Sequence, residues 1–396
     1  MNHAKTRTPT AWRNALFVVF MINGLGFSTW LARVPAIRDG LDISTAEVAA
    51  LLFTGALGAV SGLVFSSHII AWIGQRNTIL FFGLLGLLGL AGIGVGSAWV
   101  SSYALTIVAI IMAGAGNGIA DVAMNVEGAL VEKAVKRNIM PWFHAFWSLG
   151  TVTGAGLSAL MSFLGVGIAP HTIAMALLLS PVLWFVSRVI TDDRETVSDD
   201  GVQEKSTLAD RLRVWKEPRT LAIGIIALGM AFAEGSANDW LALAIVDGRE
   251  QTNAIGALWF GFFTVGMFIG RIGGVYLLDK FGRVPVLQWS AGMAIAGLTL
   301  VILVEQPILS ALGALTWGLG SSLGFPVGMS AAADDPRGSA ARVSAVATVA
   351  YGAFLIGPPL IGGLGESIGI LAALWVVVAV IIIAFFAAPA AKPPTK

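Results

Sequence analysis

Runs of about twenty mostly apolar residues divide the chain, and polar or charged residues collect between them. The runs begin near Ala15, Ala46, Thr78, Ser102, Met140 and Thr172, then near Leu221, Ala254, Val284, Ile308, Arg342 and Ile368. A hydrocarbon core about 30 Å thick takes roughly 20 residues of helix, so each run predicts one membrane-crossing helix. The first run is too long for a signal-peptide core and lacks a small-residue cleavage site, so it reads as the first membrane helix.

The second half repeats the first. Trp30-Leu31-Ala32 corresponds to Trp240-Leu241-Ala242, and Gly58, Gly62 and Gly74 correspond to Gly266, Gly270 and Gly282. The matched stretches, residues 26–90 and 235–298, sit in comparable places within six runs each. The fold class that follows is an all-α membrane protein with twelve transmembrane helices in two pseudo-symmetric six-helix bundles. An N-terminal bundle is expected over 1–190, a linker over 191–218 and a C-terminal bundle over 219–396. A parallel six-helix repeat is one way secondary transporters are built, with the solute cleft between the halves.

The linker is the longest polar stretch. Thr207 and Asp210 resemble a capping box, and Leu208, Leu212 and Trp215 recur at helical spacing beside Arg211, Arg213 and Lys216. A short amphipathic helix over 207–217, lying on the inner membrane surface, is expected.

Composition points the same way. Apolar residues make up 56% of the chain and charged ones 12%, where a soluble domain carries about 25%. Lipid must therefore be the main solvent. A net charge of +1, with no basic patch outside the loops, gives no footing for a nucleic-acid partner. Without cysteine there is no disulfide, thiolate nucleophile or cysteine-ligated metal, and the four histidines are scattered. No metal, cofactor or catalytic residue is expected, and no phosphate loop supports direct use of ATP. Among the 24 Lys and Arg residues, Arg33, Arg38 and Arg249 fall on one side and Arg271 lies within a span. The others, among them Lys5, Arg76, Lys133, Arg137, Lys280 and Arg337, fall on the opposite side. The positive-inside rule then places both termini in the cytoplasm.

Between the eighth and ninth runs the sequence reads Leu277-Leu278-Asp279-Lys280-Phe281-Gly282-Arg283. This resembles the signature loop of the major facilitator superfamily, which joins the second and third helices of each half. The resemblance implies a conformational latch, with Asp279 and Arg283 gating the transporter and Gly282 permitting the turn. In the first-half copy Ala71 and Gln75 replace the acid and the second base, which puts most of this role on the second half. Gly116-x-Gly118-x-x-Asp121-x-x-x-Asn125 is similar to the fucose–proton symporter branch. Phe143-His144-Ala145-Phe146-Trp147-Ser148-Leu149-Gly150 is similar to a bacterial subgroup near it, the YbjJ-like permeases. The resemblance covers essentially the whole chain. It implies a monomer in the bacterial cytoplasmic (inner) membrane whose partners are a small-molecule solute, protons and the lipid bilayer.

Polar residues inside the spans mark the chemistry. Asn117, Asp121 and Asn125 share one stripe of the fourth span. An ionised carboxylate there costs several kcal/mol unless it pairs, meets water or takes up a proton, so Asp121 reads as a proton carrier or as a structural acid bonded to a neighbouring helix. Glu234 and Asn238 share a face of the seventh span, and Glu234 reads as the second proton-coupling residue or as a structural acid. Asp239 sits nearer the outer end, where it either lines the site or hydrates the helix end. Asn23 lies on the first span, where the fucose branch carries an acid. Arg271 lies roughly 12 Å of helix from Asp279 and either pairs with Asp121, Glu234 or an anionic solute, or snorkels to the interface. Arg33 is expected to snorkel at the outer interface, with the subgroup resemblance marking it as a gate. Glu127 reads as a solvated or salt-bridged helix end near Lys133. Trp147, Trp259 and Trp317 fall deep enough to stack on a solute or to pack in the core.

The leading function is a secondary active transporter working by alternating access, with proton-coupled uptake of a small polar solute such as a sugar. A proton-coupled exporter of metabolites or drugs is the alternative. The fifth span lacks the proline, and the fourth the arginine, typical of drug–proton antiporters. A non-transporting sensor or lipid-handling protein is the alternative of another class, and the acids within the spans argue against it.

Overall fold

A computed structural model describes residues 8–137, 139–190, 213–335 and 338–393, and every regular element among them is helical. The first half holds α1 (Pro9–Leu31), α2 (Val34–Leu41), α3 (Thr45–Ile73), α4 (Gln75–Gly94), α5 (Tyr103–Val135), α6 (Met140–Phe163) and α7 (Ile168–Ser187). The second holds α8 (Pro218–Ser236), α9 (Ala242–Gly248), α10 (Asn253–Phe281), α11 (Arg283–Leu303) and α12 (Pro307–Ser321). It continues with α13 (Gly324–Ala332), α14 (Ser339–Ile368), α15 (Ile370–Ala373) and α16 (Trp375–Ala387). Among the described residues, 11 spans are long and apolar enough to cross a membrane. The expected fifth span, α6, is 24 residues long and has no Asp, Glu, Lys or Arg. Trp142, His144, Trp147 and its Ser, Thr and Gly residues make it less apolar than the rest.

Several expected spans are not single helices. A proline lacks the N–H for the bond four residues back, and its ring crowds that carbonyl. Pro35 thus ends α1 at Leu31 and starts α2, and Pro326 separates α12 from α13 at Ser322 and Leu323. The seventh span passes through a π-helical turn, Ala237–Leu241, between α8 and α9. By contrast, α14 continues through Pro358 and Pro359. Residues 207–212 of the expected linker helix lie outside the described residues. Of the remainder, Val214–Lys216 form a 3-10 turn with Val214 buried.

The chain divides into two compact units, residues 1–43 with 54–198 and residues 44–53 with 199–396. Within the first, α1 packs on α6, and α4 on α5 and α7; within the second, α8 packs on α14, and α12 on α10 and α11. The close approaches depend on glycine. A Cβ on Gly24 would strike the carbonyl of Trp147, and one on Gly318 the carbonyl of Phe263. Helices solvated by lipid gain little from hydrophobic burial and associate through such backbone-close packing.

Large apolar side chains cover the outside as well as the core, and small hydroxyls are buried among them. Trp72, Phe81, Phe163 and Phe185 are exposed in the first unit and Tyr276, Ile308 and Phe386 in the second, whereas Ser28, Thr29, Ser158 and Ser321 are buried. Some buried hydroxyls return to their own helices: Thr29 donates to the Leu25 carbonyl at 2.7 Å and Ser321 to that of Trp317 at 2.9 Å.

Candidate functional site

In the first unit, α1, α4, α5 and α7 line a partly open cavity of about 50 Å³. Its polar lining is Asn23 and Asn117, set among Phe27, Trp30, Gly83, Gly86 and Leu183. Gly116 of α5 lies against the backbone of Gly86 and Phe82, which holds the two helices close beside the cavity. The Trp147 indole N–H reaches Asn23 Oδ1 at 3.4 Å, and its ring leans on Phe27 with centroids 5.8 Å apart. One turn after Asn117, Asp121 is half-buried in the middle of α5. Among the described residues its carboxylate has no hydrogen bond or ion pair. Asn125 does not join the cavity: its amide nitrogen donates to the Asp121 backbone carbonyl at 2.8 Å.

In the second unit the sequence left two fates for Arg271, and the structure pairs it. Arg271 Nη2 of α10 lies 3.0 Å from Glu234 Oε1 of α8, and both side chains are largely covered. The next turn is the π-helical one, which carries Asn238 and Asp239, both half-buried. One extra residue per turn re-aims the side chains that follow, a feature frequent at functional sites. Beyond Asp239 the same helical span runs on to Gly248. Asp239 joins Asp121 as an acid without a partner among the described residues.

Two deep tryptophans take the packing fate, one of the two the sequence left open, whereas Arg33 and Glu127 fall differently. Trp317 is fully buried edge-on against Phe263, and Trp259 is buried with its N–H donated to Ser310 Oγ at 3.2 Å. Both are packing residues of the second unit, with no ring face open to a solute. Arg33 does not snorkel. It is 4% exposed, with Nη2 donating to the Val166 carbonyl at 2.9 Å and Nη1 to that of Ser158 at 3.5 Å. Burial draws its pKa below the ordinary guanidinium value. Glu127 is not a solvated end either: it is buried and accepts the Trp12 indole N–H at 2.7 Å.

The signature loop is arranged around an acid that the loop motif does not include. Gly282 turns the chain at φ +78°, a conformation that suits glycine. Arg283 then pairs with Asp334 Oδ1 at 2.7 Å and donates to Ser330 Oγ at 2.9 Å. Arg219 takes the other Asp334 oxygen at 2.7 Å. Asp279 is exposed and unpaired among the described residues, so in this structure Asp334 is the acid that holds Arg283. The adjacent Asp334-Asp335 pair before Pro336 was the available signal. Nearby, Arg342 holds Glu217 at 2.6 Å, and those hydrogen bonds keep the Glu217 carboxyl below the usual carboxylate range.

Comparison with known proteins agrees with this architecture. An uncharacterised MFS-type transporter of Yersinia pestis is 27% identical over 88% of this chain and 88% of its own length. The crystal structure of the nucleoside transporter NupG superposes with a TM-score of 0.75 at 14% identity, covering 97% of this chain and 100% of that one. The E. coli fucose:proton symporter FucP superposes with a TM-score of 0.62 at 16% identity, covering 96% and 98%. The family model described as the Major Facilitator Superfamily matches residues 139–353, more than half of the chain. With its apolar helical spans and duplicated packing, the chain belongs to the Major Facilitator Superfamily and is a multi-pass membrane transporter of that fold.

Proposed function

We propose that this transporter works by alternating access and takes up a small polar solute, such as a sugar, together with protons, with Asp121 as the principal proton carrier. The observation that carries the reading is the Asp121 carboxylate, held mid-span and half-buried without a protein partner among the described residues. A carboxylate so placed costs several kcal/mol unless water or a proton relieves it. Protonation neutralises the group and lowers the cost of carrying it through a dry, occluded intermediate.

The neighbouring groups suit an uncharged, hydroxylated solute. Asn23 and Asn117 offer donors and acceptors without net charge, beside the Trp147 and Phe27 rings. Solved transporters of this fold named for a nucleoside and for fucose accord with that chemistry. Glu234, tied to Arg271, either shares the proton or meets the solute, and Asp239 is the nearest further acid in the chain. The cation distribution supports cytoplasmic termini in an inner membrane.

The test has two steps. A thermal-shift screen of sugars, polyols, organic acids and amphipathic drugs identifies a solute, because a ligand of the native state raises its stability. Uptake of that solute into proteoliposomes is then measured with and without an inward proton gradient. Accumulation only with the gradient supports the reading; gradient-independent equilibration removes proton coupling.

A further inference from the structure

In the second unit α10 and α11 both pack on α12, and a cavity of about 760 Å³, open on one side, runs between them. Ile269, Gly273 and Leu277 line it from α10, and Trp289, Gly292 and Met293 from α11. Pockets of about 300–1,000 Å³ hold a drug-sized ligand, so the space far exceeds a few waters. Two glycines make the room: a Cβ on Gly273 or on Gly292 would meet nothing within 4 Å. Left empty, such a space forfeits packing contacts along all its walls.

The lining asks for an apolar occupant. Two of its hydroxyls are spent on their own chain, Thr316 donating to the Leu312 carbonyl and Ser322 to that of Leu319, each at 2.7 Å. Ile269 and Trp289 line the cavity and are each 49% exposed, so it opens on the outside of two membrane spans, where lipid chains lie.

At the end nearest the signature loop the chemistry changes. Lys280 follows Gly273 by two turns on the same face of α10, whereas Asp279 falls about 160° round the helix from Leu277. The Lys280 ammonium lies 5.2 Å from the Phe281 ring centroid, and Phe281 stands edge-on to Trp289, a wall of the cavity, at 5.0 Å. Lys280 is exposed and has no ion pair among the described residues. Gln288 also lines the cavity within two turns of Arg283, its amide without a hydrogen bond among the described residues. From Ile269 to Lys280 the helix rises roughly 16 Å, about the depth of one leaflet of a 30 Å hydrocarbon core.

We propose that this trough binds one anionic phospholipid, with an acyl chain lying between α10 and α11, its ester region at Gln288 and its phosphate at Lys280. An apolar trough one leaflet deep with a free cation at its end matches an amphiphile. A solute from water would find too few polar groups there, and the apolar face of a second copy would leave the cation unmatched. The site is separate from Asp121 and does not rest on proton coupling.

The detergent-purified protein is given phosphatidylglycerol carrying a photoreactive diazirine on its acyl tail, irradiated and digested, and the adducts are mapped. Adducts should concentrate within residues 269–296 rather than spread over exposed apolar positions such as Phe163 and Phe185. Unlabelled phosphatidylglycerol should compete roughly fivefold better than phosphatidylcholine, the effect of one lysine on an anionic lipid. Lys280→Gln should remove that preference. Gly273→Leu combined with Gly292→Leu fills the trough and should abolish labelling there. Evenly spread labelling, or equal competition by the two lipids, overturns the proposal, and both are read on the unaltered protein without any variant. A dimer cross-linked through this face, and lost when the trough is filled, would assign it to a second copy and overturn the proposal too.

Discussion

Arg271 of α10 and Glu234 of α8 meet at 3.0 Å inside the spans of the second unit. Their side chains keep 22% and 17% exposure, so each charge depends on the other more than on solvent. Removing one partner of a fully buried pair costs roughly 3–5 kcal/mol, chiefly because the survivor is stranded. Partial exposure lowers that here.

Arg271→Gln and Glu234→Gln should each destabilise the protein by about 1–3 kcal/mol, and the double variant should lose less than their sum. Thermal melting of the four proteins gives the coupling. Additive losses would show that the two side chains do not stabilise one another.

At the signature loop, Asp334→Asn should lower the melting temperature, because it loosens both Arg219 and Arg283. Asp279→Asn should leave it unchanged, since Asp279 is exposed here. If Asp279 instead ties down the outward-facing state, its variant shifts the resting population inward, to the extent that the carboxylate favours the outward-facing form. Distances between spin labels on the inner loops report that shift. Unchanged distributions in a folded Asp279→Asn protein remove the latch role.

The Glu217–Arg342 pair predicts a pH dependence. The Arg342 hydrogen bonds depress the Glu217 pKa in the folded state. The contribution is therefore complete above the unfolded carboxyl value of about 4.3 and fades as pH falls through the lower folded value. Glu217→Gln should melt earlier than the parent at neutral pH, and the two should converge in acid. Parallel melting curves from pH 7 to pH 3 would count against the pair.

Glycine packing gives a paired test. A Cβ at Gly24 meets the Trp147 backbone, whereas at Gly292 it meets nothing within 4 Å. Gly24→Ala should destabilise by about 2 kcal/mol or more through forced separation of α1 and α6. Gly292→Ala should stabilise by roughly 0.5–1 kcal/mol through lower unfolded-state entropy. Equal effects at the two sites would contradict the backbone-close packing of α1 on α6.

The helices and their duplication were legible because lipid demands long apolar runs and a repeat leaves paired residues such as Trp30 and Trp240. The composite spans were harder to read. Pro35 and Pro326 mark two of the breaks, but the π turn at Ala237–Leu241 has no proline or paired glycines to announce it. Within the site, helical spacing brought Asn117 and Asp121 to one stripe and left Arg271 open to pairing with Glu234. Arg33 and Trp317 show the other limit. Whether a polar or aromatic side chain at a given depth faces lipid, cavity or core depends on the neighbouring helix. For Arg33 that neighbour is more than a hundred residues away, at Ser158 and Val166.

The role of Asp121 is tested most directly by Asp121→Asn in proteoliposomes, which mimics a permanently protonated carrier. Solute accumulation is measured with and without an inward proton gradient, alongside counterflow exchange, which needs no net proton movement. The predicted result is loss of gradient-driven accumulation with counterflow retained. Accumulation by Asp121→Asn that still follows the pH gradient would contradict the account and pass the proton to Glu234 or Asp239.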